Sequence, residues 1–96
     1  MFVFDGDRLI GFGRALTDGG RQAAIYDIAV EPAWQGQGVG DMIMCNILAR
    51  IEGCNVLLYA NPGRESFYQR FGFRVMKTAM ARFADAAEME RRGFIE

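Results

Sequence analysis

The sequence contains no histidine. That removes the commonest general base, a common metal ligand and the only side chain whose unperturbed charge changes near neutral pH. Cysteine is nearly as scarce: Cys45 and Cys54 lie nine residues apart, with no second pair. Without histidine or further thiols, this spacing supports neither a zinc site nor a disulfide framework, so no metal is expected. The two thiols read as buried residues of a reducing compartment. No apolar run nears the roughly 20 residues that a bilayer-spanning helix needs, and no charged-then-apolar leader opens the chain. A cytoplasmic protein without a membrane partner is the expectation. Charge of one sign is missing too. Eleven basic residues face twelve acidic ones, and the longest basic run is Arg91-Arg92. There is no electrostatic footprint for nucleic acid, which leaves a small molecule as the expected partner.

What is present is apolar. Half of the 96 residues are hydrophobic, which suits one small globular domain over residues 1–96. No linker, repeat or low-complexity segment divides it. Asp5-Gly6, between two apolar runs, is a strong hairpin signal and predicts strands at 2–4 and 8–16. "TDGGR" at 17–21 is a second turn, and "QAAIYDIAV" at 22–30 alternates as a third, antiparallel strand. The period then changes. Ile43, Met44, Ile47, Leu48 and Ile51 share one helical stripe, with Asp41, Asn46, Arg50 and Glu52 off it, so a helix should run from Val39 to near Gly53. "NVLLYA" at 55–60 reads as a buried strand, returning parallel to the third. Asn61-Pro62 and Gly72 bracket a helix at 62–71, and 73–83 reads as a further strand, broken near Ala79. Asp85 with Glu88 makes a capping box for a short last helix that stops at Gly93.

Gly36, Gly38 and Gly40 sit between the third strand and the long helix, where glycine needs a reason. One reading is a tight strand-to-helix turn. The other is an anion site, because a helix N-terminus carries unpaired N–H groups and about half a positive charge. Two familiar phosphate fingerprints are absent. Asp41 stands where a G-x-G-x-x-G from Gly36 needs its third glycine, and no Gly-Lys-Ser/Thr occurs.

"VEPAWQGQGVG" resembles the acyl-CoA signature of the GNAT superfamily of N-acyltransferases, with Gln35, Gly38 and Gly40 in the motif positions. "NPGRESFYQRFGF" at 61–73 resembles the family's next motif, an asparagine followed by a helix that carries a tyrosine and ends in Gly-Phe. The resemblance covers roughly 2–83. It implies an α+β fold, a mixed and mostly antiparallel sheet with flanking helices, splayed between the strands at 22–30 and 55–60. It implies acetyl-CoA as co-substrate, its pantetheine arm in the gap beside Ile28 and Val30, and its pyrophosphate on the backbone from about Gln37 through Gly38, Val39 and Gly40 to Asp41. Gln35, Gly36 and Asn61 complete the implied cofactor contacts. The family usually opens with a strand and two helices that cover the acceptor, and this sequence starts near the first hairpin strand.

Acyl transfer from a thioester needs an unprotonated amine and a protonated or stabilised departing thiolate. Tyr68 matches the position where the family often carries its general acid; packing beside Phe67 and Phe71 is the other reading. Asp27, on the strand lining the family's cleft, is the first carboxylate to consider as base, followed by Glu31. Both also suit a solvated strand, and a substrate that loses its proton beforehand needs no base. Asn61 serves equally as a helix cap, and Trp34 reads as a packing anchor. The function implied is acetyl transfer to a primary amine of a small molecule or peptide, directly within a ternary complex. The alternatives are a non-catalytic acyl-CoA-binding or regulatory module and a nucleotide-phosphate binder. An uncovered first strand predicts a homodimer, with the 84–96 segment as a contact surface.

Overall fold

The computed structural model describes Met1–Glu96 in two compact units, Met1–Tyr59 and Ala60–Glu96. In the first, β1 (Phe2–Asp5), β2 (Arg8–Thr17), β3 (Gln22–Val30) and β4 (Asn55–Leu57) form one sheet in the order β1-β2-β3-β4. The β1–β2 and β2–β3 pairs are antiparallel and β3–β4 is parallel. The expected α+β mixed sheet is therefore what forms. The first hairpin turns one residue later than the sequence suggested. Asp5 pairs with Arg8, and Gly6 at φ +61° opens the two-residue loop, where a primed turn requires left-handed backbone. In the second turn Asp18 accepts N–H bonds from Gly20 at 2.7 Å and Gln22 at 3.3 Å, and Thr17 Oγ1 donates to Gln22 O.

Helix α1 (Val39–Arg50) packs its stripe on this sheet. Ile43 and Met44 are fully buried, Val39, Ile47 and Ile51 nearly so, against Ile10, Ala23 and Ile25. Glycine in β2 makes the approach possible. A Cβ on Gly13 would lie 2.5 Å from Ile43 Cγ2 and 2.8 Å from both Ile28 Cδ1 and Ile47 Cδ1. Cys45 corrects the expectation of two buried thiols. It is exposed on α1, off the stripe, whereas Cys54 is half-buried just past the helix.

Strand β4 is shorter than the predicted 55–60. It pairs Asn55, Val56 and Leu57 with Gln22, Ala23 and Ala24, and there the pairing ends. From Ile25 to Val30, β3 has a strand partner only on its β2 side. A bulge starts at the same level. Arg14 faces Asp27 and Ala15 faces Ile25, which leaves Tyr26 as the extra residue. The bulge shifts the inward phase from Ala23 and Ile25 to Ile28 and Val30.

The second unit contains α2 (Glu65–Gln69) and α3 (Ala86–Arg91) and no strand. The expected helix at 62–71 starts late because Asn61 does not cap it. Asn61 O accepts from Arg64 N at 2.9 Å in a turn through Gly63, whose φ of +90° is not helical. Phe67 meets Phe71 at 5.5 Å, and Tyr68 meets Phe73 at 6.1 Å. The predicted strand at 73–83 is absent. Val75 and Met80 are exposed there, and an apolar run that pairs with no neighbouring strand does not become one. The last helix is capped as its sequence suggests, Asp85 Oδ1 accepting from Glu88 N at 3.1 Å, with Gly93 left-handed at its end.

Candidate active site

Between β3 and α1 the chain makes a 3-10 turn at Pro32–Trp34 and then the glycine loop. The turn is held by Trp34 N donating to Glu31 O at 2.8 Å. Two glutamine side chains tie the loop down: Gln35 Nε2 donates to Val30 O at 3.0 Å and Gln37 Nε2 to Ala33 O at 3.2 Å. Their amides brace the loop from within. Gly36 and Gly38 have φ of +79° and +87°, and a Cβ on either would meet nothing within 4 Å. Conformation rather than crowding thus demands glycine at both.

Gly38 is the N-cap of α1, and the first intrahelical bond runs from Met42 N to Gly38 O at 3.0 Å. The N–H groups of Val39 and Gly40 precede it, in the helix's first turn, where N–H groups have no intrahelical acceptor. With the helix dipole they make an anion-favouring end. Val39 contributes backbone only, since its side chain is buried, and the Asp41 carboxylate lies in the first turn. Ile28 and Val30, half-buried, sit on the stretch of β3 that β4 leaves unpaired. Ile28, Val30 and Gln35 to Asp41, the residues expected to meet a cofactor, therefore follow one another along strand, loop and helix start.

The two carboxylates considered as bases are both ion-paired. Asp27 Oδ2 lies 3.1 Å from Arg14 Nε, and Glu31 binds Arg8 through both carboxylate oxygens. Tyr68 and Asn61 belong to the second unit. Tyr68 is half-buried on α2, edge-on to Phe67 at 5.0 Å, and burial raises its pKa above the usual 10.0. Tyr68 packs edge-on against Phe67 and Phe73.

Sequence reasoning missed the bulge and what it assembles. Tyr26 and Asp27 are both exposed, and Arg14 bridges them, its Cζ 5.3 Å from the Tyr26 ring centroid. The signal was present in "QAAIYDIAV", where the apolar phase slips between Ile25 and Ile28.

The family profile of the acetyltransferase (GNAT) domain matches residues 1–75. The chain belongs to the GNAT acetyltransferase family. Over 68 residues this GNAT chain is 43% identical to the "Uncharacterized N-acetyltransferase ycf52" of Gracilaria tenuistipitata var. liui, covering 68% of the chain and 37% of that protein. It is 39% identical over 69 residues to "Serotonin N-acetyltransferase 2, chloroplastic" of Oryza sativa subsp. japonica, covering 69% and 34%. The chain thus spans little more than a third of these curated relatives, 37% and 34%. A solved structure from meticillin-resistant Staphylococcus aureus, SA2161, described as a probable acetyltransferase, superposes with a TM-score of 0.77 at 36% identity. That match covers 85% of this chain and 66% of the other. The GNAT profile takes in β1 to α2, including Asp27, the glycine loop, Asn61 and Tyr68, and ends before α3. No helix is long and apolar enough to cross a membrane.

Proposed function

We propose that this GNAT domain transfers the acetyl group of acetyl-CoA to a primary amine of a small molecule or peptide, directly within a ternary complex. The observation that supports this most is the left-handed Gly36–Gly38 loop, which feeds the N-terminus of α1 beside the unpaired edge of β3. A pyrophosphate suits the N–H groups from Gln37 to Asp41, and an amide-bearing arm suits the backbone of Ile28 and Val30. Asn61 is the further contact to that arm. In the reaction a C–N bond forms and the thioester C–S bond breaks. The amine gives up a proton, for which Asp27 is the acceptor, and the sulfur gains one, for which Tyr68 is the donor. Tyr68 is half-buried on α2, and desolvation keeps its pKa above the usual 10.0, so the phenol carries its proton at neutral pH as any tyrosine does. We further propose that the domain works as a homodimer.

Acetyl-CoA should raise the melting temperature, as a ligand selective for the folded state must. Thiol release should then depend on an added amine, tested over amines, amino acids and peptides. Gly38→Ala places a Cβ on left-handed backbone and should lose most of the thermal shift while remaining folded. Binding without acceptor-dependent release would leave a non-catalytic acyl-CoA module. A shift with ATP or NAD that competes with CoA would make the loop a nucleotide site.

A further inference from the structure

The end of α1 away from the glycine loop borders a pocket of its own. It opens between β2 and the last turns of α1 with a volume of about 440 Å³, within the roughly 300–1,000 Å³ of small-molecule sites. Phe12, Ile47 and Ile51 give it an apolar wall, the two isoleucines being only 5% and 8% exposed. Its charge is of one sign. Arg14 and Arg50 line it together with the Asn46 amide, and no aspartate or glutamate does.

The two arginines differ in what they already hold. Arg14 Nε lies 3.1 Å from Asp27 Oδ2, whereas the Arg50 guanidinium makes no ion pair. Arg50 stands in the last turn of α1, where the helix dipole presents its negative end and offers an anion nothing. Any attraction for a negative ligand there must come from the side chains. At about 1.5 Å of rise per residue, Arg50 is also roughly 16 Å along the axis from Val39, so an anion held here leaves the phosphate end of the helix untouched.

We propose that this pocket binds a free medium-chain monocarboxylate, its head on Arg50 and Arg14 with Asn46 as a further donor, and its tail on Phe12, Ile47 and Ile51. An inorganic anion would shed water against an apolar wall that returns nothing, while an alkyl tail gains by covering that wall. Length and charge therefore both count. Each methylene moved from water onto the wall should tighten binding about two- to fourfold. An exposed charge pair contributes less, so loss of Arg50 should weaken a carboxylate about two- to fivefold, and loss of Arg14, which shares its charge with Asp27, by less.

The test is a nuclear magnetic resonance titration of the full chain with sodium hexanoate, sodium butyrate serving as the shorter probe and 1-hexanol as the neutral one. No acetyl-CoA is present, so the outcome is independent of whether the domain catalyses transfer. Hexanoate should shift the backbone amides of Ala15 and of Asn46 to Ile51, leave Gly36 to Gly40 unmoved, and bind roughly four- to sixteenfold more tightly than butyrate. Arg50→Gln should weaken hexanoate by the factor given and leave 1-hexanol unchanged. Arg74→Gln removes the same charge from an exposed residue that does not line the pocket and should change neither, with thermal melts confirming folded protein throughout. Equal affinities for butyrate and hexanoate, or no saturable shift at Asn46 to Ile51 in the parent protein, overturn the proposal. So do shifts centred on Gly36 to Gly40, which would place the carboxylate at the start of α1, or an equal loss in Arg74→Gln, which would reduce the effect to net charge.

Discussion

At the scale of single residues, Tyr68 links packing to chemistry most directly. Its ring stands edge-on to Phe67 and Phe73, and that burial disfavours the phenolate and raises the pKa above 10.0. Tyr68→Phe keeps these ring contacts and removes only the proton. It should lower kcat by roughly 10²–10⁴-fold, the usual yield of a general acid, with little change in acetyl-CoA affinity. The pH dependence has a definite sign. Activity that needs the neutral phenol persists to above pH 10 and is lost only as pH rises through the elevated value. The stability linked to the same shift is likewise fully present below the unfolded pKa and lost as pH rises through the folded one. A kcat unchanged in Tyr68→Phe, or an alkaline limb near pH 8 that the substitution removes, would contradict the assignment. Gln35 teaches the opposite lesson. It stands in the acyl-CoA motif, yet its side-chain amide is spent on the Val30 carbonyl, so it shapes the loop from within.

At the scale of elements, the decisive contact is α1 on β2. Gly13 and Gly11 are where the helix comes closest, and a Cβ would sit 2.5 Å from Ile43 at the first but no nearer than 3.1 Å to any atom at the second. Overpacking of that kind costs about 1–3 kcal/mol. At about 4–8 °C per kcal/mol for a domain of this size, Gly13→Ala should lower Tm by roughly 5–20 °C, and Gly11→Ala by clearly less. Equal losses measured by calorimetry would show that the helix simply shifts outward. The sequence made α1 legible because five apolar residues on one stripe need no knowledge of the partner. The first three strands were legible for a similar reason, alternation bounded by Asp-Gly and Gly-Gly turns, and so was the glycine loop. Pairing over distance was not. Strand β4 stops at Leu57 and residues 73–83 form no strand, because an apolar run becomes a strand only where a neighbour accepts its hydrogen bonds. The Arg14–Tyr26–Asp27 cluster stayed hidden for the same reason: Arg14 meets Asp27 only once the register and its bulge are known. Tyr68 and Asn61 were readable only through the family motif, since an N-cap and a packed phenol are equally good local explanations.

At the scale of the whole molecule, burial is uneven. Every buried core side chain, from Ile10 to Ile51, belongs to Met1–Tyr59, whereas Ala60–Glu96 relies on half-buried ring contacts such as Phe67–Phe71 and Phe83–Phe94. The first unit nevertheless leaves one edge of its sheet open. Strand β1 is one of the sheet's two outer strands, and its Phe2 and Phe4 are 68% and 59% exposed. An outer strand with two exposed phenylalanines is the feature that folded monomers normally blunt with charge, proline or a covering element. Pairing β1 with β1 of a second copy about a two-fold axis would satisfy the open N–H and C=O groups and shelter four rings at once. Burying a phenylalanine contributes about 1.5–3 kcal/mol, so the rings alone supply several kcal/mol toward association. Light scattering after size exclusion at micromolar concentration should therefore give about twice the 10.7 kDa of one chain. Phe4→Lys, which puts a charge on the edge without touching the buried core, should return the protein to one-chain mass with its thermal unfolding still cooperative. A parent protein that elutes at one-chain mass overturns the dimer, and a Phe4→Lys protein that stays dimeric moves the interface away from β1.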